Sequence, residues 1–180
     1  MTQCSLIVAT DRKGTIGKAG VVPWSSPRDM NWFRMHTLGK PCLVGRKTNE
    51  TLPNGLKDRS LLEVKRGTRN ECSLDWLWDA TNLRSEQFQL HRDIMVIGGA
   101  QIYEMFMPEA TRIYLTTVDT EIVATTEEPL TMFKFPDWTE WESIYKVHDH
   151  DQRGKVLGLP EELNLTFQIF QRKYKDNAKQ

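Results

Sequence analysis

With 180 residues the chain is long enough for one domain with a substantial core, and its 24 Lys plus Arg are balanced by 24 Asp plus Glu, so the formal net charge is zero. That balance argues against a dedicated nucleic-acid binder, which carries a basic surplus. No apolar run approaches the ~20 residues that cross a bilayer, and the opening Met-Thr-Gln-Cys-Ser-Leu-Ile-Val-Ala-Thr lacks the basic start and long apolar stretch of a signal peptide.

In chain order, Ser5–Ala9 reads as a first strand. Asp11–Val22, rich in Gly and Lys, reads as an irregular segment, a usual place for an active-site lid. A helix is expected over Pro27–Thr37: Ser26 is a good N-cap, and Pro27 fits the first helical position, where its missing N–H costs nothing. Asp29 and Phe33 are four apart and share a face, so the aromatic that wants burial takes the carboxylate inward. Such a carboxylate suits a pocket that binds a flat, hydrogen-bonding cation or protonates something. An Asp at the third helical position also serves as a cap, and both readings stand at this point.

Strands are expected next over Pro41–Val44 and Ser60–Val64, with a short helix after Arg46. A helix over Leu74–Asn82 follows, carrying Trp76 and Trp78, then a polar, exposed stretch Arg84–Arg92. Ile94–Ile97 and Arg112–Val118 read as strands and Ala100–Phe106 as a helix between them. Continuous apolar runs of this kind fit strands covered on both faces of a largely parallel sheet, hence an α/β fold. The acidic residues of Asp119–Glu128 read as a solvated loop. Glu142–His148 and Leu165–Arg172 suggest a C-terminal antiparallel hairpin, and Lys173–Gln180 a charged, frayed tail.

Several segments could carry chemistry. Val96-Ile-Gly-Gly-Ala ends an apolar strand in two glycines and opens a helix at once, which lets backbone approach a ligand and offers free N–H groups to an anion. Val44-Gly-Arg-Lys-Thr likewise ends a strand in Gly, and Arg46, Lys47 and Thr48 could bind phosphate. Two anion-friendly turns thus lie at strand C-terminal ends, the edge where nucleotides bind in an open α/β sheet. His148-Asp-His-Asp151 has metal-ligand chemistry but reads as a solvated turn. The three cysteines, Cys4, Cys42 and Cys72, show no zinc spacing and read as reduced thiols, as in a cytoplasmic protein, with Cys4 and Cys42 behaving as small core residues.

Taken in order, these segments resemble the dihydrofolate reductase family. The likeness runs from Leu6-Ile-Val-Ala through Ile16-Gly17, Pro23-Trp24, Pro27-x-Asp29, Trp32-Phe33 and Gly45-Arg-x-Thr-x-Glu50 to Val96-Ile-Gly-Gly, Ile102-Tyr103 and Tyr114-x-Thr116. It implies a single domain over residues 1–172, with a central, mostly parallel eight-stranded sheet, four flanking helices and a flexible tail 173–180. It implies NADPH-dependent reduction of 7,8-dihydrofolate to tetrahydrofolate, with antifolates such as methotrexate or trimethoprim as inhibitors. A cytoplasmic monomer that binds no metal, nucleic acid or membrane is expected.

By the same resemblance Asp29 is the active-site acid that pairs with the pteridine, Thr116 hydrogen-bonds it, and Trp24 holds a bridging water. Ile7, Val8, Ala9, Met30, Phe33, Leu52, Leu56, Ile97 and Tyr103 would line the substrate pocket, and Arg59 would grip the glutamate α-carboxylate. The cofactor would lie against Ala9, Ile16, Gly45, Arg46, Lys47, Thr48, Lys65, Arg66, Gly98, Gly99, Ala100, Gln101, Ile102 and Tyr103, with a cis peptide between Gly98 and Gly99. The sequence departs from the family at Lys18-Ala-Gly-Val-Val22 in the lid and at Ala124 and Thr125, where a Gly-Asp pair is familiar. It departs also at Gly55-Leu-Lys-Asp-Arg59, Asn49 and Gln101, the last replacing a frequent arginine. Two competing readings are the related reductase of riboflavin synthesis, against which Pro23-Trp24 and Asp29 argue, and a folate- or nucleotide-binding module with little catalysis.

Overall fold

A computed structural model describes residues 3–52, 56–64 and 93–173. In chain order the elements are β1 (Gln3–Thr10), β2 (Thr15–Lys18), β3 (Trp24–Ser25), α1 (Pro27–Thr37), β4 (Pro41–Gly45), α2 (Arg46–Thr51), β5 (Ser60–Val64), β6 (Asp93–Gly98) and α3 (Ala100–Phe106). They continue with β7 (Ala110–Val118), β8 (Leu130–Met132), β9 (Trp141–Asp151), β10 (Lys155–Val156), β11 (Leu159–Pro160) and β12 (Leu163–Arg172). The expected helix Leu74–Asn82, with Trp76 and Trp78, lies outside the described residues, as do Cys72, Lys65, Arg66, Gly55 and the stretch Arg84–Arg92.

The main sheet has the order β5-β4-β6-β1-β7-β12-β9, so seven of the expected eight strands fall in it among the described residues. From β5 to β7 every neighbour is parallel; β12 and β9 add antiparallel. The parallel strands alternate their side chains between two apolar layers. On one face Cys4, Leu6, Leu43 and Val96 pack with Ile102, Tyr103 and Phe106 of α3. On the other Ile7, Cys42, Val44, Met95 and Tyr114 pack with Trp32 and Phe33 of α1. Burial pushes the Cys4 and Cys42 thiols up to about 12, so both are inert core residues. Among the described residues no helix is long and apolar enough to cross a membrane.

Three expectations are corrected. Asp11–Val22 is not irregular throughout: Thr15–Lys18 forms β2 and pairs with β8. The loop Asp119–Glu128 is not wholly solvated, since Ile122 is buried and its N–H donates to Asp11 Oδ2 at 3.0 Å. His148–Asp151 is no turn, because β9 stays paired with β12 as far as Asp151 opposite Leu163. That register sets His148 opposite Thr166 and His150 opposite Asn164, and each imidazole Nδ1 hydrogen-bonds its partner, at 2.9 and 3.1 Å. Among the described residues no group of three His, Cys, Asp or Glu could hold a metal.

Candidate active site

The first turn of α1 follows the Ser-Pro signal. Ser26 caps it from an extended backbone (φ −141°, ψ 117°), and its Oγ accepts from the Asp29 N–H at 3.2 Å. The Asp29 carboxylate does not cap. It is enclosed between α1 and β7, where the Thr116 hydroxyl hydrogen-bonds it, while the residue keeps some accessible surface. Burial raises its pKa to about 6, and the Thr116 contact opposes that rise. Tyr103 lies close enough for the Asp29 charge to reinforce the effect of burial, which holds the phenol un-ionised; its hydroxyl donates to Ile7 O at 2.7 Å. Trp24 is buried with Ala9 beside it, and no protein atom among the described residues accepts from its Nε1–H. It is fixed by β3 pairing with β10, where Val156 stands opposite Trp24, and by the Leu157 N–H donating to Pro23 O at 2.7 Å.

Behind Asp29 on the same helix face stand Trp32 and His36, which the sequence reading did not single out as site residues. Their rings meet edge to face at 4.1 Å, and His36 lies 4.5 Å from the ring of Tyr114, two residues before Thr116. Burial, with the Lys40 charge second, pushes the His36 imidazole down to about 4, so it is neutral near pH 7. The signal was available as the helical spacing of positions 29, 32 and 36.

The two glycine turns come together at the C-terminal ends of β4 and β6. A Cβ built on Gly45 would lie 3.0 Å from Ile102 Cγ1 and 3.6 Å from Gly99 N. One on Gly99 would lie 3.0 Å from Thr48 Oγ1. The Gly98–Gly99 peptide is cis and Gly98 has φ +129°, a conformation that suits glycine. The result is a close approach of two glycine backbones, with the Ile102 and Thr48 side chains packed against them. Arg46 and Lys47 are exposed beside it, and Arg46 pairs with Glu50 at 3.1 Å. Gln101 is exposed and Ala100 half-buried at the start of α3, while Ile16 packs against the apolar layer that includes Val8 and Tyr103. Asn49 donates to Glu63 Oε2 at 2.9 Å, which accounts for a polar residue there.

A groove of about 410 Å³ opens along α1, lined by Met30, Phe33, Arg34, Leu56, Lys57 and Arg59 among others. Arg59 Nε donates to Thr37 Oγ1 at 2.7 Å, and its guanidinium lies 5.5 Å from the Phe33 ring centroid. Leu52 and Leu56 pack against the layer that contains Ile7 and Ile97. The groove thus joins an apolar wall at Phe33 and Leu56 to a cationic end at Arg59, while Asp29 shares the Phe33 face of α1 one turn nearer the helix start. Such an arrangement can hold a flat, polar ring at the acid, an apolar body along Phe33 and an anion at Arg59.

A family model described as dihydrofolate reductase matches residues 3–172. The chain is 35% identical over 152 residues to the dihydrofolate reductase of Haemophilus influenzae, which covers 83% of this chain and 91% of that protein. It is 30% identical over 153 residues to the dihydrofolate reductase type 3 of Salmonella typhimurium, covering 83% and 90%. A solved structure of the dihydrofolate reductase from Enterococcus faecalis, complexed with NADP(H) and RAB-propyl, superposes with a TM-score of 0.69 over 96% of this chain and 97% of that one. At 20% identity that last likeness is one of fold.

Proposed function

The chain belongs to the dihydrofolate reductase family and reduces dihydrofolate to tetrahydrofolate with NADPH, and we propose that Asp29, Thr116 and Trp24 are the groups through which it does so. The observation that carries this reading is the inward carboxylate of Asp29, held by Thr116 with a pKa raised to about 6. A carboxylate on the inward face of α1 accepts two parallel hydrogen bonds from the pteridine's 2-amino group and N3. Thr116 fixes the carboxylate plane and turns an oxygen toward the same amino group.

Protonation of N5 needs a proton that Asp29 cannot hand over directly from the far side of the ring. With a pKa near neutrality Asp29 carries that proton part of the time and polarises the ring, and a water held by the unpartnered Trp24 Nε1–H completes the path. Ile7, Val8, Ala9, Met30, Phe33, Leu52, Leu56, Ile97 and Tyr103 enclose the pterin and benzoyl rings and exclude water. Arg59, already oriented by Thr37, takes the glutamate α-carboxylate.

The residues present fit NADPH. Gly45, Gly98 and Gly99 bring backbone without side chains to the C-terminal ends of β4 and β6, where a pyrophosphate could approach it, and Thr48 Oγ1 offers a hydroxyl beside Gly99. Arg46, with Lys65 and Arg66 beyond the described residues, would receive the 2′-phosphate, with Lys47 beside it, while Ala9, Ile16, Ala100, Gln101, Ile102 and Tyr103 complete the cofactor wall. When bound, the cofactor supplies the hydride for pterin C6. A planar diaminopyrimidine cation makes the same pair with Asp29, so antifolates such as methotrexate or trimethoprim are expected inhibitors. Mixing the protein with NADPH should give an absorbance decay that requires dihydrofolate and stops on addition of methotrexate. Absence of any dihydrofolate-dependent oxidation would contradict the activity.

A further inference from the structure

The end of β9 carries acidic and imidazole side chains that the reaction does not use, and one of them reaches α1. Asp151 is buried, 2% exposed, although it lies 125 residues from the Ser26 it touches. Its Oδ2 accepts from the Ser26 hydroxyl at 2.5 Å and from the Arg28 N–H at 3.1 Å, and its Oδ1 accepts from the Arg153 N–H at 3.0 Å. Asp149 of the same strand pairs with the Arg28 guanidinium at 2.9 Å.

A helix opens with N–H groups that have no partner within it. In α1 all are accounted for. Pro27 has none, Arg28 donates to Asp151, Asp29 donates to Ser26 Oγ, and Met30 donates to Ser26 O. Ser26 has one hydroxyl proton. Because that proton goes to Asp151, the hydroxyl cannot rotate, and its lone pair stays aimed at the Asp29 N–H. The charged acceptor makes this a short, strong contact. The Asp29 backbone is therefore held through Ser26 by a carboxylate on the C-terminal hairpin.

We propose that Asp151 is a positioning residue for Asp29, fixing through Ser26 the helix turn that aims the active-site carboxylate at the substrate. The inference rests on the reading of Asp29 as the substrate-facing acid. The charged group that faces Asp151 is Arg153 in the turn that follows β9, whereas Arg28 on α1 meets it through its backbone N–H. Asp149 faces Arg28 from its other side.

The test compares Asp151→Ala, Ser26→Ala and Asp151→Asn with the unmodified chain in dihydrofolate turnover across pH, beside NADPH binding. With the turn loosened, kcat should fall on the order of tenfold, since small misplacements of a reacting group are costly. NADPH affinity should stay within about twofold, because the glycine turns lie on other elements. The proton-dependent limb of the pH profile should move to lower pH in both alanine variants, as Asp29 relaxes toward water and the ordinary carboxylate range. Asp151→Asn keeps an acceptor for Ser26 and should recover most of the turnover. The double variant Ser26→Ala with Asp151→Ala should be no worse than the poorer single one. If the limb stays in place in both alanine variants the proposal is overturned, whatever happens to kcat or melting temperature. Should Asp151→Ala fail to fold, Ser26→Ala, which removes only a hydroxyl, decides alone. Asp29→Asn separates the two readings: if it retains turnover, the assignment of Asp29 fails, whereas an inactive Asp29→Asn with an unmoved limb in the other variants sinks this inference only.

Discussion

At the scale of single residues, Asp29 works against the fold at neutral pH. Its folded pKa is about 6, above the ordinary Asp value of 3.8. A group with a raised folded pKa contributes stability that is complete below the unfolded value and is lost as pH rises through the folded one. The cost of the ionised carboxylate above pH 6 is at most on the order of 3 kcal/mol. Asp29→Asn removes that cost. It should raise the melting temperature at pH 7.5, and the gain should shrink as pH falls from 6 to 4; a gain independent of pH would contradict the burial of this charge. His36 has the opposite sign, since its pKa is pushed down to about 4: its contribution is present above its ordinary 6.5 and is lost as pH falls toward 4. Measurement of Asp29→Asn against the unmodified chain at each pH cancels that background. Of these residues, the inward turn of the Asp29 side chain was legible from its spacing to Phe33, although the Ser-Pro start alone left capping open. Asp151 was not, because nothing local in His-Asp-His-Asp points to a serine 125 residues away.

At the scale of elements, the boundaries that were legible are those with local punctuation. The expected Pro27–Thr37, Ala100–Phe106 and Ser60–Val64 match the observed α1, α3 and β5. Ser-Pro sets the first and Gly-Gly the second, each a signal that acts within a few residues. The two- and four-residue strands β2, β3, β10 and β11 were not foreseen, because their hydrogen bonds come from partners distant in sequence. The pair of glycine turns is legible as two Gly-ended strands, but its tightness is not. Gly45 has an ordinary extended backbone (φ −78°, ψ 151°), so any penalty for a side chain there is one of space. A methyl group would press on Ile102, itself buried in the core and unable to retreat. Gly45→Ala should therefore weaken NADPH binding about tenfold and cost ~1–3 kcal/mol of stability. Titration calorimetry with NADPH checks the first; unchanged affinity would remove Gly45 from the cofactor site.

At the scale of the whole molecule, the parallel sheet order brings β4, β6 and β1 side by side with their C-terminal ends at one edge. The glycine turns are delivered there by β4 and β6, and Thr116 by the neighbouring β7, which pairs Ala9 with Thr116. The segment between β1 and α1 is tied down from two sides. Lys18 pairs with Glu128 at 3.0 Å and the Ala19 N–H donates to Pro129 O at 3.2 Å, while the Leu157 N–H holds Pro23. The order of motifs made the family readable, since no single segment was specific. The geometry that joins them was not readable, because it depends on which strands become neighbours. The most direct measurement is dihydrofolate-dependent NADPH oxidation by Asp29→Asn beside the unmodified chain near neutral pH, with NADPH binding followed in parallel. NADPH binding should stay intact while turnover falls ~10²-fold or more. Near-normal turnover in Asp29→Asn would contradict the role of Asp29.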